Sequence, residues 1–191
     1  MIPFNYLGWA FKLFGKGIYP SWVFSALEKL VSNLQKDDYF LDIGAGTGVL
    51  IEEAFKQNPN PRYVAVDPAY GMLKYIQKPV EKVVAKAEYL PFKENTFSMV
   101  TLGETLHHIK DIETGLREIN RVMKKDGYLF IFDFDPTQKK GRLIYRFEKM
   151  FGEPANFFEP KKLKHLLKDF HFESEYVKKE YRYILIARKI K

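Results

Sequence analysis

Tyr39-Phe40-Leu41-Asp42-Ile43-Gly44-Ala45-Gly46-Thr47-Gly48 is the stretch on which the reading of the whole chain turns. Its first five residues are mostly apolar and short enough for a buried strand. Three glycines in the next five positions then allow a tight bend and a close approach of backbone to a ligand. An apolar helical period follows over 49–57 and stops at Asn58-Pro59-Asn60-Pro61. The unit is therefore strand, glycine loop, helix.

Working outward, the same alternation continues. Strands are expected over 62–67, 82–86, 98–102 and 128–133, and helices over 70–77 and 111–123, the latter with Ile112, Leu116, Ile119 and Met123 on one stripe. Asp126-Gly127 reads as the turn before the fifth strand. A helix over 138–151 would bury Leu143, Ile144, Phe147, Met150 and Phe151, and Pro160 suits the first turn of another carrying Leu163, Leu166, Leu167 and Phe170. The runs over 172–179 and 183–189 lie close enough to pair as a hairpin. Upstream, Phe4, Leu7, Phe11, Phe14 and Ile18 recur at helical spacing, and Trp22, Val23, Ala26, Leu27, Leu30, Val31 and Leu34 form the face of a second helix. The expected fold is α/β: a Rossmann-like, doubly wound, mostly parallel seven-stranded sheet closed by an antiparallel C-terminal hairpin strand. One domain is expected over 1–191, with a helical cap at 1–37, a ligand-binding core at 38–134, an insertion at 135–160, and a final helix and hairpin at 161–191.

In such sheets ligands bind beyond the carboxyl ends of the strands. A dinucleotide fingerprint starting at Gly44 would need its last glycine at Val49, and one starting at Gly46 would need it at Ile51, so both registers fail. The Gly-Lys-Ser/Thr of a phosphate-binding loop is missing as well. The loop suits a ligand without a pyrophosphate. The second strand ends in Val66-Asp67-Pro68, where a carboxylate can accept both hydroxyls of a ribose or cap the next helix.

The ordered set of motifs resembles the class I S-adenosylmethionine-dependent methyltransferases, in particular the ubiquinone/menaquinone-biosynthesis type and its type 11 relatives. Phe40 to Gly48 looks like the family's first motif and Val66-Asp67 like its second. Ala87-Glu88-Tyr89-Leu90-Pro91-Phe92, Leu106-His107-His108-Ile109 and the helix around Arg117-Glu118-Ile119 are similar to later ones. The resemblance implies S-adenosylmethionine as cofactor and S-adenosylhomocysteine as product. It places Gly44, Ala45, Gly46 and Gly48 against the methionine and ribose, with Asp42 supporting the loop or the cofactor amine. It implies Asp67 on the ribose, Pro68 and Met72 over the adenine edge, Ala87 and Glu88 beside the ring, and Leu102 and Gly103 at the methionine end. Where the family has an aspartate before the Ala-Glu pair, this chain has Lys86, so the adenine amino group needs another acceptor such as Glu88, or binds less tightly.

Methyl transfer needs alignment above all, and a base if the acceptor is protonated. Glu104, His107 and His108 follow the fourth strand and are the catalytic candidates, against the plainer reading that they cap or line the site. Asp133 and Asp135 offer too few ligands for a cation, and no metal is expected. The acceptor is expected to be a small molecule, hydrophobic or aromatic, enclosed by Phe4, Trp9, Phe11, Phe14, Tyr19 and Trp22 on one side and by 138–158 on the other. These aromatics are equally compatible with a plain core.

A net charge of +7 is spread over scattered lysines with no arginine-rich recognition helix, which argues against nucleic acid as partner. An amphipathic N-terminus with Lys12 and Lys16 would suit contact with a membrane surface. The absence of cysteine excludes disulfides and thiolate chemistry, and with no apolar run long enough for a span or a leader the expected location is cytoplasmic. RNA- or protein-directed methylation, and cofactor binding without transfer, remain the alternatives. Nothing in the sequence speaks to oligomeric state.

Overall fold

The computed structural model describes residues 12–13, 17 and 19–191. Phe4, Leu7, Phe11, Phe14 and Ile18 of the expected first helix lie outside the described residues. From Ser21 the chain forms α1 (Ser21–Val31), β1 (Tyr39–Ile43), α2 (Val49–Gln57), β2 (Arg62–Val66), α3 (Tyr70–Leu73), β3 (Glu81–Val83) and β4 (Phe97–Gly103). A 3-10 turn (Leu106–His108), α4 (Ile112–Val122), β5 (Met123–Phe134), α5 (Lys139–Met150), α6 (Pro160–Asp169), β6 (Phe172–Lys179) and β7 (Arg182–Lys189) complete it.

The sheet order is β3-β2-β1-β4-β5-β7-β6. The first five strands run parallel, and β7 and β6 antiparallel to their neighbours. Alternation along each strand sends side chains to two separate cores. Leu41, Ile43, Val100, Leu102 and Ile131 meet Leu116 and Ile119 of α4 and Leu163 and Leu167 of α6. Phe40, Met99, Phe130 and Phe132 meet Val23, Leu27 and Val31 of α1 and Leu50, Ile51 and Ala54 of α2. Strands buried on both faces explain why β1, β4 and β5 read as near-continuous apolar runs. The direction in which successive strands are added switches between β1 and β4, so the carboxyl ends of β2, β1 and β4 lie side by side at the switch point, where such sheets bind ligands.

Three boundaries differ from expectation. The helix expected over 70–77 ends at Leu73, because Tyr75 and Ile76 donate to carbonyls three residues back and Gln77 N–H donates to Glu52. Strand β3 stops at Val83, and beyond it only Lys86 bridges to Tyr89. β5 begins at Met123, and Asp126-Gly127 forms a bulge within it: Met123 pairs with Phe97 and Tyr128 with Met99, while Asp126 takes a left-handed φ of 65°.

The largest reversal is in α5. The helix forms, but Leu143, Phe147, Met150 and Phe151 face solvent, and Gly141 and Glu148 are its buried residues. Residues 141 and 148 lie seven apart, on one face. Gly141 backs so tightly on the Asp135 carbonyl that an added Cβ would come within 2.0 Å of its oxygen. Glu148 faces His107. Those two contacts fix the rotation of the helix and turn its apolar stripe outward.

Candidate active site

The glycine loop leaves β1 with Gly44, Gly46 and Gly48 all at positive φ, which side-chain-bearing residues rarely adopt. Gly44 is constrained twice, since a Cβ there would also lie 2.2 Å from Thr105 Cγ2. Thr105 Oγ1 donates to the carbonyl oxygens of Gly103 and Gly44 at 3.0 and 3.2 Å, tying the loop to the end of β4. Asp67, at the end of β2, closes the loop from the other side. Its Oδ2 accepts from Gly46 N–H at 2.9 Å and its Oδ1 from Ala69 N–H at 2.7 Å. It is therefore a loop clamp as well as a turn former. Two backbone bonds leave a carboxylate with about two further acceptor sites for a ligand.

Asp42 sits beneath the loop, 2% exposed, accepting from Thr101 Oγ1 at 2.7 Å. Burial pushes its carboxyl up to about 7, against the Thr101 hydrogen bond and with the help of Asp67. Burial also raises Asp67, opposed by its two backbone donors. Glu104 follows β4 with a left-handed φ of 51°, an uncommon conformation for a non-glycine residue. Burial lifts Glu104 to about 7, against the pull of Arg182, whose guanidinium stands 3.7 Å away. Its Oε1 is buried without a hydrogen-bond partner among the described residues.

Of the remaining cofactor candidates, Met72 reaches over Gly46, its Cε 3.5 Å from where a Cβ would stand. Leu102 is fully buried and Ala87 nearly so, while Pro68 is exposed beside Asp67. Ala45 is buried within the loop. At Gly103 an added Cβ would meet the Tyr19 hydroxyl at 2.6 Å. Glu88 Oε1 accepts from the backbone N–H of Lys110 and Asp111, at 3.0 and 3.4 Å, at the entry to α4. Met72 and Thr105 lie close against the loop, and Tyr19 against Gly103; two recesses of about 420 and 640 Å³ lie elsewhere, one lined by residues including Glu94, Arg121 and Lys189, the other by Glu88, Leu90 and Glu118.

The acceptor side holds the main correction. His107 is 1% exposed, with Nδ1 2.6 Å from Asp133 Oδ1 and Nε2 3.3 Å from Glu148 Oε1. Burial opposes its charge, but Asp133 and then Glu148 outweigh burial and hold it protonated up to about 10. An imidazolium clamped at both nitrogens has no lone pair for a substrate proton, so His107 is removed as a base. It also stacks on Phe157, with ring centroids 4.4 Å apart. His108 differs: burial and the neighbouring His107 lower its pKa, its side chain is 26% exposed, and Nδ1 lies 3.6 Å from Glu153. Asp133 and Asp135 do not converge, since Asp135 turns to Lys178 Nζ at 2.8 Å and to Thr137. His107, His108 and Glu148 do bring one ligand atom each within 4.8 Å of the others. In that group the His107 proton already neutralises one carboxylate charge.

Tyr19 and Trp22 sit over Phe132, with centroids 5.2 and 6.0 Å away. The other aromatics of the expected lid lie outside the described residues, as does Lys16. Lys12 is turned inward, 2.7 Å from Glu52 on α2. Sequence reasoning missed Arg182, Glu148 and Asn156. Arg182 heads β7 opposite Phe134 and stacks over Phe132, Phe134 and Tyr181 at 5.8, 5.5 and 4.9 Å. Asn156 ties the 151–158 segment to the 3-10 turn through the carbonyls of His107 and Ile109. No single-chain motif marks these three, because antiparallel pairing and the turned α5 bring them together.

Residues 41–131 match the family model described as "Methyltransferase domain". A demethylmenaquinone methyltransferase of Corynebacterium urealyticum is 39% identical over 125 residues, 64% of this chain and 54% of that protein. A ubiquinone/menaquinone biosynthesis C-methyltransferase of Campylobacter jejuni is 29% identical over 63% of this chain and 55% of its own length. The chain spans about half the length of these curated relatives. Among solved structures, a SAM-dependent methyltransferase of Thermotoga maritima, described as a possible histamine N-methyltransferase, superposes with a TM-score of 0.73 at 20% identity, covering 97% of each chain. Residues 41–131 are thus similar to a methyltransferase domain, and the fold is the Rossmann-like one seen in solved SAM-dependent methyltransferases.

Proposed function

We propose that the chain transfers a methyl group from S-adenosylmethionine to a small aromatic acceptor of the quinol kind. One observation carries this reading. Asp42, Asp67 and Glu104 sit at the carboxyl ends of three adjacent strands around one glycine loop, and burial raises the pKa of each. Buried carboxylates held above their ordinary pKa favour a ligand that brings positive charge. A sulfonium with an α-ammonium group does so, whereas the pyrophosphate of a nicotinamide dinucleotide brings the opposite sign.

When bound, S-adenosylmethionine supplies an electrophilic methyl on a good leaving group, displaced in line. The chain's part is positioning. Asp67 offers its remaining acceptor sites to the ribose hydroxyls, and Gly44, Ala45, Gly46 and Gly48 let the methionine and ribose lie against backbone. Met72 and Pro68 cover the adenine edge, with Ala87 behind it, and Leu102 and Gly103 border the methionine end. Tyr19, whose hydroxyl burial keeps well above its ordinary pKa with Glu104 and Asp42 adding to the effect, closes that end against water. Glu104 takes the acceptor's hydroxyl proton, which makes the ring nucleophilic, and Arg182 faces the charge that develops; after the methyl bonds to a ring carbon, the hydrogen of that carbon moves to the oxygen by tautomerisation, which restores the hydroxyl, so one proton in all leaves through Glu104. His108 lines the acceptor side, and His107 is a positioning residue that fixes Asp133 and Glu148. Tyr19, Trp22 and the 135–160 segment bound the acceptor. The reading assigns no metal to the reaction, because the in-line displacement requires no Lewis acid.

The test is transfer of isotopically labelled methyl from S-adenosylmethionine to a panel containing a prenylated naphthoquinol, a simple phenol, transfer RNA and denatured protein. Label in the quinol is the expected result. Label in RNA or protein, or in none of the panel while the cofactor still binds, would replace this reading with one of its alternatives.

A further inference from the structure

Residues 136–152 contain five cations, Lys139, Lys140, Arg142, Arg146 and Lys149, and one acid, Glu148. That acid is buried against His107. The same helix exposes Leu143 at 69%, Phe147 at 53% and Met150 at 72% of their surface. Positions 143, 147 and 150 fall on one side of an α-helix, with 142, 146 and 149 flanking them. The outer half of α5 is thus an apolar stripe edged by positive charge, without a counter-charge among the described residues of the helix. Large apolar side chains scattered singly on a surface need no explanation, but a contiguous stripe does. The helix gains nothing from this orientation in isolation: it holds an acid inward and three large hydrophobics in water, and the contacts at Gly141 and Glu148 impose that arrangement.

We propose that α5 seats this protein on the surface of a lipid bilayer rich in anionic headgroups. Leu143, Phe147 and Met150 enter the headgroup–acyl boundary, while Arg142, Arg146 and Lys149 extend their apolar stems along it and keep their charges at the phosphates. The charge pattern selects this occupant. A two-fold contact between copies through this face would oppose five cations to five cations, which repels. A nucleic acid would meet the cations but leave the apolar stripe unused. The surface is separate from the N-terminal segment considered from sequence, whose Lys12 is engaged with Glu52, and it stands whether or not the proposed acceptor is correct.

The test is sedimentation of the full chain with vesicles of phosphatidylcholine alone and of equal parts phosphatidylcholine and phosphatidylglycerol, at low and high ionic strength. Binding to the anionic vesicles only, weakened by salt, is expected. Each cation near such a surface contributes about fivefold to partitioning, so R142Q/R146Q/K149Q should lower it by about tenfold or more. L143S/F147S/M150S should lower it as far and leave less salt dependence to measure. All six positions are on the outer helix face, and unchanged thermal unfolding in both variants confirms that the fold is intact. Three results overturn the proposal: no binding to either vesicle, equal binding by wild type and both variants, or a wild-type dimer in solution that L143S/F147S/M150S converts to monomer.

Discussion

Replacing Asp42 by Asn keeps the shape and an acceptor for Thr101 Oγ1 but removes a carboxyl that burial lifts from the ordinary 3.8 to about 7. Folded Asp42 holds its proton more tightly than the unfolded chain does. The stability tied to that proton is therefore complete below about pH 4, is lost as pH climbs toward 7, and changes no further above it. At ~1.36 kcal/mol per unit, a shift of about three units sets a ceiling of ~4 kcal/mol. Between pH 5 and 7.5 the share lost is roughly 2–3 kcal/mol. Urea unfolding of wild type and Asp42→Asn across that range, without cofactor, should show the wild type losing that much more than the variant. Groups that do not interact with Asp42 cancel in the difference, while Asp67, which shares its field, adds a smaller change because its own carboxyl ionises more easily in the variant. Parallel pH curves would refute the claim that Asp42 is an uncompensated buried acid, and with it the electrostatic case for a cationic ligand.

Other outcomes follow from the same geometry. His107→Gln should destabilise by roughly 3–5 kcal/mol, because Asp133 and Glu148 lose a shared buried cation, while the pH–rate profile keeps its shape; a lost ionisation in that profile would restore His107 as the base. Glu104→Gln should lower kcat by about a hundredfold or more, and should remove a rate limb that rises through about pH 7 as the carboxyl ionises; an unchanged limb would assign it elsewhere. Gly44→Ala should cost at least ~2 kcal/mol, from a positive φ and a collision with Thr105, and wild-type stability in a melt would contradict the loop geometry.

The parts of this fold that sequence makes legible are those set by short-range chemistry. Apolar runs bounded by turn residues located the strands, because β1, β4 and β5 are buried on both faces. The spacing from the Gly44–Gly48 loop to Asp67 placed two halves of one site, and Gly46 N–H on Asp67 Oδ2 joins them. Helix α5 shows the limit. Its apolar period is real, but periodicity finds a face without saying what the face meets, and a single buried Glu148 with a backbone contact at Gly141 outweighs four apolar residues. His107 could not be told from His108 in sequence, because the difference lies in Asp133 and Glu148, 26 and 41 positions away. Arg182 reaches the site only through the antiparallel register that sets it opposite Phe134.

The proposed function sets an adenosyl group against the Gly44–Gly48 loop, with its ribose on the free acceptor sites of Asp67. Calorimetric titration with S-adenosylhomocysteine and with NAD, on wild type and Asp67→Ala, tests it most directly. One site is expected for S-adenosylhomocysteine, none for NAD, and a loss of roughly 1–3 kcal/mol in the variant as charge-assisted hydrogen bonds disappear. Equal affinity in both proteins, or saturable binding of NAD in place of the thioether, would contradict it.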